Sequence, residues 1–131
     1  MKIELTSDES EMYFYNSLCN ALGYVESYGI ELIYIKEEFI AAKIKLQIDK
    51  PGEAICYEDV LMEILRQGGT LKMVDNEDED ELLSSITLAE VHTRVSNTPI
   101  KHLMDAINEN DDADTADVII QTVFFNEIVY G

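Results

Sequence analysis

The sequence is poor in several residue types, and each shortage excludes a class of protein. It has no tryptophan, two prolines and six glycines in 131 residues, which leaves no room for a long flexible or proline-rich linker. A membrane-spanning helix needs about 20 consecutive apolar residues, whereas the apolar runs here are short, as in Val118-Ile119-Ile120. The first nine residues lack the apolar core of a secretory signal. We therefore expect neither a membrane span nor secretion by that route.

Cysteine is scarce as well. Cys19 and Cys56 lie too far apart for a CxxC motif or a common metal-binding spacing. Each belongs to a segment of apolar periodicity, so we expect two small, buried and reduced thiols. Reduced thiols and the missing secretory signal together favour a cytoplasmic protein.

Basic side chains are few. Nine lysines and arginines stand against 27 aspartates and glutamates, which gives a formal net charge of −18. The phosphates of nucleic acids and anionic lipids would be repelled by this charge. We therefore expect no direct nucleic-acid binding and no membrane binding, and the charge favours a basic protein surface as the partner.

The acidic residues are concentrated in the second half of the chain. Residues 75–131 contain 14 aspartates and glutamates against Arg94 and Lys101. Two groups dominate, which we name the first acidic cluster (residues 77–81) and the second acidic cluster (residues 111–117). The candidate interaction residues within them are Glu77, Asp78, Glu79, Asp80, Glu81, Asp111 and Asp112.

Length and hydrophobic content predict one compact globular domain over residues 1–131. A chain of this length can bury roughly two-thirds of its unfolded surface, and a hydrophobic content of 47% is ordinary for a folded protein. Disordered acidic chains lack that apolar share. The periodicity predicts an α+β fold that is mostly helical, with about five helices and a small, mainly antiparallel sheet.

In the first half, residues 2–6 alternate between polar and apolar side chains, which predicts a short strand. A helix follows, capped by Asp8 with Glu11 as its capping-box partner and ended by Gly23. Tyr13 is expected to be exposed or to contact another element. The predicted buried face consists of Met12, Tyr15, Cys19 and Leu22.

The next segments are less uniform. Residues 30–35 suit either a strand or the start of a helix, and both readings stay open. Residues 36–46 predict a helix, Pro51-Gly52 predicts a turn, and residues 56–67 predict a helix with an apolar stripe that includes Val60 and Ile64.

The second half begins with a predicted hairpin. Residues 70–74 and 82–88 are its strands, and the first acidic cluster forms the tip between them. The spacing of Leu88, Val91 and Val95 then predicts a helix. Another helix starts with Thr98 as its cap and Pro99 as its first residue. Its predicted apolar face consists of Ile100, Leu103, Met104 and Ile107.

The last predicted helix is capped by Asp114 and runs over residues 115–125. It is apolar on nearly every side, although its β-branched residues keep a strand open over residues 118–125. An element of this kind is either central in the fold or covered by a partner. A homo-oligomer that forms through this helix is therefore one hypothesis.

No group of residues predicts a catalytic site, a metal site or a cofactor site. His92 and His102 are not accompanied by a nucleophile in a known motif. They could share a metal ion with Asp105 only if two predicted helices pack side by side, and a solvated helix surface explains these residues more simply.

A calcium loop is also not supported. Asn110, Asp112 and Asp114 match the first positions of such a loop, but its central glycine is replaced by Thr115 and its last glutamate by Gln121.

The sequence alone does not determine a function. The interpretation we favour is a non-enzymatic acidic module of a bacterial, phage or mobile-element type that binds a basic protein surface. In its sharper form the module mimics the charge of DNA. Two alternatives stay open: a small-molecule-binding protein or small enzyme that uses His92 or His102, and a structural oligomeric subunit.

Overall fold

The computed structural model describes residues 3–110 and 112–130. In these residues six α-helices accompany one three-stranded antiparallel sheet, which confirms the predicted α+β fold. The elements in chain order are α1 (Ser7–Ser27), β1 (Ile30–Tyr34), α2 (Lys36–Asp49), α3 (Tyr57–Arg66), β2 (Leu71–Asp75), β3 (Asp78–Ile86), α4 (Leu88–Arg94), a 3₁₀ turn (Val95–Asn97), α5 (Ile100–Ile107) and α6 (Ala113–Phe125). Among the described helices, none combines the length and the apolar character that crossing a membrane requires.

Helix α1 begins at a capping box of Thr6 and Glu9, so the prediction of Asp8 and Glu11 is wrong. The Thr6 hydroxyl accepts the Glu9 N–H at 3.1 Å, and the Glu9 carboxylate accepts the Thr6 N–H at 2.9 Å. Both bonds satisfy N–H groups that would otherwise lack partners at the start of a helix.

The residues just before α1 do not form the predicted strand. Ile3 and Leu5 pack against the core, but they have no neighbouring strand with which to form backbone pairs. Lys2 lies outside the described residues.

The buried face of α1 is turned by about one residue from the predicted face. Phe14, Leu18, Ala21 and Val25 are buried at spacings of four, three and four, and Tyr13 is buried beside them. One residue rotates a helix by about 100°, so predicted core residues become exposed. Met12 and Cys19 are exposed, while Tyr15 and Leu22 are half-buried.

The predicted end of α1 at Gly23 is also wrong. The helix continues to Ser27 because Val25 still packs in the core. The positive φ that favours glycine occurs later, at Gly29, where φ is 81°.

Strand β2 lies in the middle of the sheet, between β1 and β3, and both pairings are antiparallel. Leu71 and Met73 of β2 are buried. The N–H of Asn76, just after β2, donates to the Gly29 carbonyl at 3.0 Å. The junction between α1 and β1 therefore lies beside the turn between β2 and β3.

Helix α6 is the central helix of the fold. All ten of its residues from Thr115 to Phe124 are buried, and it packs along α1, where the rings of Phe14 and Phe124 are 6.2 Å apart. Helices α4 and α5 and strand β3 also contact α6. The helix suggested for a homo-oligomer is therefore covered by its own chain.

Helix α5 starts one residue later than predicted, with Pro99 at its N-cap and no capping bond from Thr98. Leu103 is buried, whereas Ile100 and Met104 are exposed. Only one side of this short helix packs against α6, so the predicted apolar face is half solvated.

Candidate functional site

The first acidic cluster lies at the turn between β2 and β3 and continues into β3. The turn residues are Asn76 and Glu77, and Asp75 pairs with Asp78 across the turn. Oδ1 of Asp75 accepts the Glu77 N–H at 2.8 Å, and Oδ1 of Asp78 accepts the Asp80 N–H at 3.1 Å. Aspartate side chains that bond to nearby backbone in this way stabilise turns.

The predicted hairpin is thus confirmed, but its boundaries differ. Strand β3 begins at Asp78, not at Leu82, and ends at Ile86. The side chains of Asp75 and Asp78 accept hydrogen bonds from nearby backbone N–H groups. Acidic residues are therefore compatible with the start of this strand.

The pairing between β2 and β3 is irregular next to the turn. Asp75 pairs with Asp78, but the preceding residue, Val74, pairs with Leu82. Residues 79–81 therefore have no partner on β2 and form a bulge. The bulge places three consecutive carboxylates outside the regular ladder.

The charge of the first acidic cluster is open to solvent. Residues 76–82 are all exposed, and the apolar Leu82 is exposed to 55%. The ion pairs found among the described residues are Lys45–Asp49, Arg66–Glu11 and His92–Glu11. None of them involves a carboxylate of the first acidic cluster, so no basic side chain in the described part of the chain neutralises it.

The second acidic cluster is partly structural. Asp112 is the N-cap of α6, where its Oδ1 accepts the Thr115 N–H at 3.0 Å. That backbone bond is the main reason why the pKa of Asp112 is lowered. The prediction of Asp114 as the cap is wrong, because α6 begins two residues earlier than expected. Asp111 lies outside the described residues, and Asp114 is exposed.

Asp117 is buried, unlike the other acidic residues of this cluster that the structure describes. Its Oδ2 accepts the Tyr28 hydroxyl at 2.8 Å and the Gln121 amide at 3.1 Å. Gln121 also binds the end of the chain, because its Oε1 accepts the N–H groups of Val129 and Tyr130, both at 2.8 Å. Asp117 thus belongs to the packing of α1, α6 and the C-terminal segment.

The two acidic clusters lie at the same end of the molecule. Gly29 bonds to Asn76 in the hairpin turn, and the preceding residue, Tyr28, bonds to Asp117 in the first turns of α6. The junction between α1 and β1 therefore holds both segments, although they are far apart in sequence. We name this region, comprising residues 75–82 and 112–117, the acidic end.

The two histidines are each engaged by a different neighbour. Nε2 of His92 lies 2.9 Å from Glu11 Oε2, and Nε of Arg66 donates to Glu11 Oε1 at 3.0 Å. Burial would raise the pKa of Glu11, but the bonds with His92 and Arg66 outweigh it and lower the pKa. Nδ1 of His102 lies 3.1 Å from the Thr115 hydroxyl.

These contacts do not bring the histidines to a common site. In residues 3–110 and 112–130, no group of three or more histidine, cysteine, aspartate or glutamate side chains is placed to hold a metal ion.

A polar cluster between α1 and α3 was missed by the sequence analysis. The Tyr15 hydroxyl donates to Asp59 Oδ1 at 2.8 Å and lies 3.5 Å from Cys56 Sγ. Its bonds with Cys56 and then with Asp59 raise the pKa of Tyr15, because they favour the protonated hydroxyl. The spacing of Cys56 and Asp59, three residues apart at the start of a helix, is the sequence signal for the capping box they form.

Both thiols are exposed, so their predicted burial is wrong. The one-residue rotation of α1 turns Cys19 outward, and Cys56 is the N-cap of α3. Partial burial is the main reason why the pKa of Cys19 is raised. The negative charges of Glu58 and Asp59 raise this pKa further, whereas a hydrogen bond with Tyr15 lowers it. A thiol with a raised pKa is a weak nucleophile at neutral pH.

Comparison with protein-family models, with curated proteins and with solved structures gives no match to this chain.

Proposed function

We propose that this protein is a non-enzymatic interaction module that binds a basic protein surface through its acidic end. The observation that carries the proposal is the first acidic cluster: five consecutive exposed carboxylates that form no ion pair in the described part of the chain. Nothing in the packing of the hairpin requires so many charges, since only Asp75 and Asp78 accept backbone N–H groups of the hairpin.

Both the exposed charges and a neighbouring apolar side chain suit this role. Exposed carboxylates attract a basic partner over a Debye length of about 8 Å at physiological salt, which accelerates encounter. Leu82 adds an apolar group beside the charges, and interfaces generally need apolar contact in addition to charge. The two free, exposed thiols suit a reducing compartment, so we infer that the partner is met in the cytoplasm.

Mimicry of DNA is the sharper form of the proposal. Duplex DNA presents one charge for about every 1.7 Å of its axis, so a mimic needs an extended band of carboxylates. The first four residues of β3, Asp78 to Glu81, are all acidic, and the start of α6 adds Asp112 and Asp114 at the same end.

The test compares two variants with equal loss of charge. In the first, the five acidic residues 77–81 become Gln or Asn, which keeps the Oδ1 acceptor of Asp78. In the control, five exposed glutamates elsewhere become Gln; these are Glu4, Glu37, Glu53, Glu109 and Glu127. Each protein is immobilised and offered purified basic proteins that bind duplex DNA.

We expect the wild-type protein and the control to retain a basic partner that the hairpin variant does not retain. A duplex added in solution releases that partner if the carboxylates occupy its DNA site, and leaves it bound if they do not. Equal retention by all three proteins would show that the first acidic cluster is not the recognition element.

A further inference from the structure

The hydroxyl of Tyr15 contacts both cysteines of the chain. Its oxygen lies 3.5 Å from Cys56 Sγ and also forms a hydrogen bond with Cys19, which follows Tyr15 by four residues on α1. Side chains at this spacing on a helix are neighbours. Two thiols that are far apart in sequence therefore meet at one oxygen atom.

The two sulfur atoms are within reach of each other. Because both contact the same oxygen, their separation is at most about 8 Å. A change of rotamer moves a cysteine sulfur by about 3 Å, so rotations at Cys19 and Cys56 can close the gap to the S–S bond length of about 2 Å. Both thiols are exposed, so a small molecule in solution can reach either of them.

The surroundings of the two thiols differ. Burial is the main reason why the pKa of Cys19 is raised, and the negative charges of Glu58 and Cys56 raise it further. Cys56 lies at the N-terminus of α3, where the helix dipole favours a negative charge. We therefore expect Cys56 to react first and Cys19 to complete the reaction.

We propose that Cys19 and Cys56 are a reversible redox pair, which a small disulfide such as oxidised glutathione converts into an intramolecular disulfide. The Cys56 thiolate attacks one sulfur of the oxidant, whose S–S bond breaks and releases one glutathione thiolate. The Cys19 thiolate then attacks Cys56 Sγ and releases the second. Two protein thiols are oxidised, one molecule of oxidant is reduced, and the two thiol protons pass to the two glutathione thiolates.

The disulfide changes the contact between α1 and α3. Bonding the two sulfurs displaces the Tyr15 hydroxyl, which donates to Asp59 Oδ1 at 2.8 Å in the reduced protein. The bonds with Cys56 and then with Asp59 raise the pKa of Tyr15, so this pKa falls on oxidation. Transient disulfides of this kind serve as redox sensors in reducing compartments. The proposal does not depend on the function of the acidic end.

Intact-protein mass spectrometry tests the pair. The protein is incubated at about 5 μM, where reaction within one molecule is favoured over reaction between molecules. Oxidised glutathione is added, and the remaining thiols are then capped with iodoacetamide. We expect the wild-type protein to lose two hydrogens, about 2 Da, and to carry no cap, because both thiols are used in the disulfide. Dithiothreitol should restore both thiols.

The matched variants each remove one partner. Cys19→Ser and Cys56→Ser cannot close the disulfide, so each should stop at a mixed disulfide with one glutathione. Serine is a favoured N-cap residue, so Cys56→Ser keeps the start of α3. The Cζ resonance of the Tyr15 ring reports its titration, and it should titrate at a lower pH in the oxidised protein than in the reduced protein.

Four results would overturn the proposal. They are a wild-type protein in which both thiols remain free and are capped, one that keeps two glutathiones without an internal disulfide, a disulfide that joins two molecules instead of Cys19 and Cys56, and a Tyr15 resonance that titrates equally in both forms.

Discussion

The hydroxyl of Tyr28 donates a 2.8 Å hydrogen bond to Oδ2 of Asp117, a buried carboxylate that lies 89 residues further along the chain. Oδ1 of Asp117 has no partner among the described residues. The bonds from Tyr28 and Gln121 therefore compensate much of the cost of burying this group. Because Tyr28 precedes the glycine that binds the hairpin turn, the bond links the helical core to the acidic end.

Replacing Tyr28 by Phe should lower the free energy of unfolding by about 1–3 kcal/mol, because it leaves a buried carboxylate with one bond fewer. Urea unfolding at neutral pH measures the change. Tyr24→Phe is the matched control, since Tyr24 lies one helical turn earlier and is exposed. Equal stability of the two variants would contradict the structural role of the bond.

The same hydroxyl should make stability depend on alkaline pH. Burial, and next the bond with Asp117, raise the pKa of Tyr28 from 10.0 to about 12. The protonated hydroxyl therefore stabilises the folded state below pH 10, and this contribution is lost as the pH rises toward 12. Between pH 10 and 12 the wild-type protein should lose more stability than Tyr28→Phe, as followed by urea unfolding at each pH.

Glu11 should produce the opposite dependence at acidic pH. Its pKa is lowered from 4.5, since the bonds with His92 and Arg66 outweigh the effect of burial. Its contribution is therefore present above pH 4.5 and is lost as the pH falls below that value. Glu11→Gln should be less stable at pH 6 by roughly 1–2 kcal/mol. The two proteins should converge as the pH falls, and parallel stability curves would rule out this role.

Added sodium chloride should stabilise the protein near neutral pH. The net charge of −18 opposes the compact state, and salt screens that repulsion. For a domain of this size, about 1 kcal/mol of relieved repulsion raises Tm by roughly 4 °C. The variant neutralised at residues 77–81 should respond less. A Tm that falls between low and moderate salt would mean that the carboxylates are compensated locally.

The ring contact between α1 and α6 should carry a large share of the stability. Phe14 and Phe124 are fully buried and in contact, so Phe124→Ala should lower the free energy of unfolding by about 3–5 kcal/mol. Ile128→Ala, at a half-exposed residue near the end of the chain, should change it by less than about 1 kcal/mol. Calorimetry on both variants tests whether α6 is the centre of the core.

The strongly periodic segments were predictable because burial on one side fixes the spacing of apolar residues. The helix over 56–67 is confirmed as α3, with Val60, Leu61, Ile64 and Leu65 buried as expected. The apolar character of residues 118–125 predicted an element that is either central in the fold or covered by a partner; the structure shows a helix that is buried within its own chain.

The orientation of α1 was not predictable from spacing alone. Two apolar stripes, one through Phe14 and Leu18 and one through Tyr15 and Cys19, have equivalent spacing. The stripe that becomes buried is decided by the neighbouring elements: Phe14 meets Phe124, while Tyr15 meets Asp59. The contacts that form the acidic end were hidden for the same reason, because they join residues distant in sequence.

The bulge at residues 79–81 has a consequence for solubility. Strand β3 is at the edge of the sheet, and an edge strand with free backbone groups can pair with a strand of another molecule and start aggregation. Three successive carboxylates in an irregular backbone oppose such pairing, since like charges of stacked copies would lie against one another. A neutral hairpin would thus leave an edge strand that can pair with strands of other molecules.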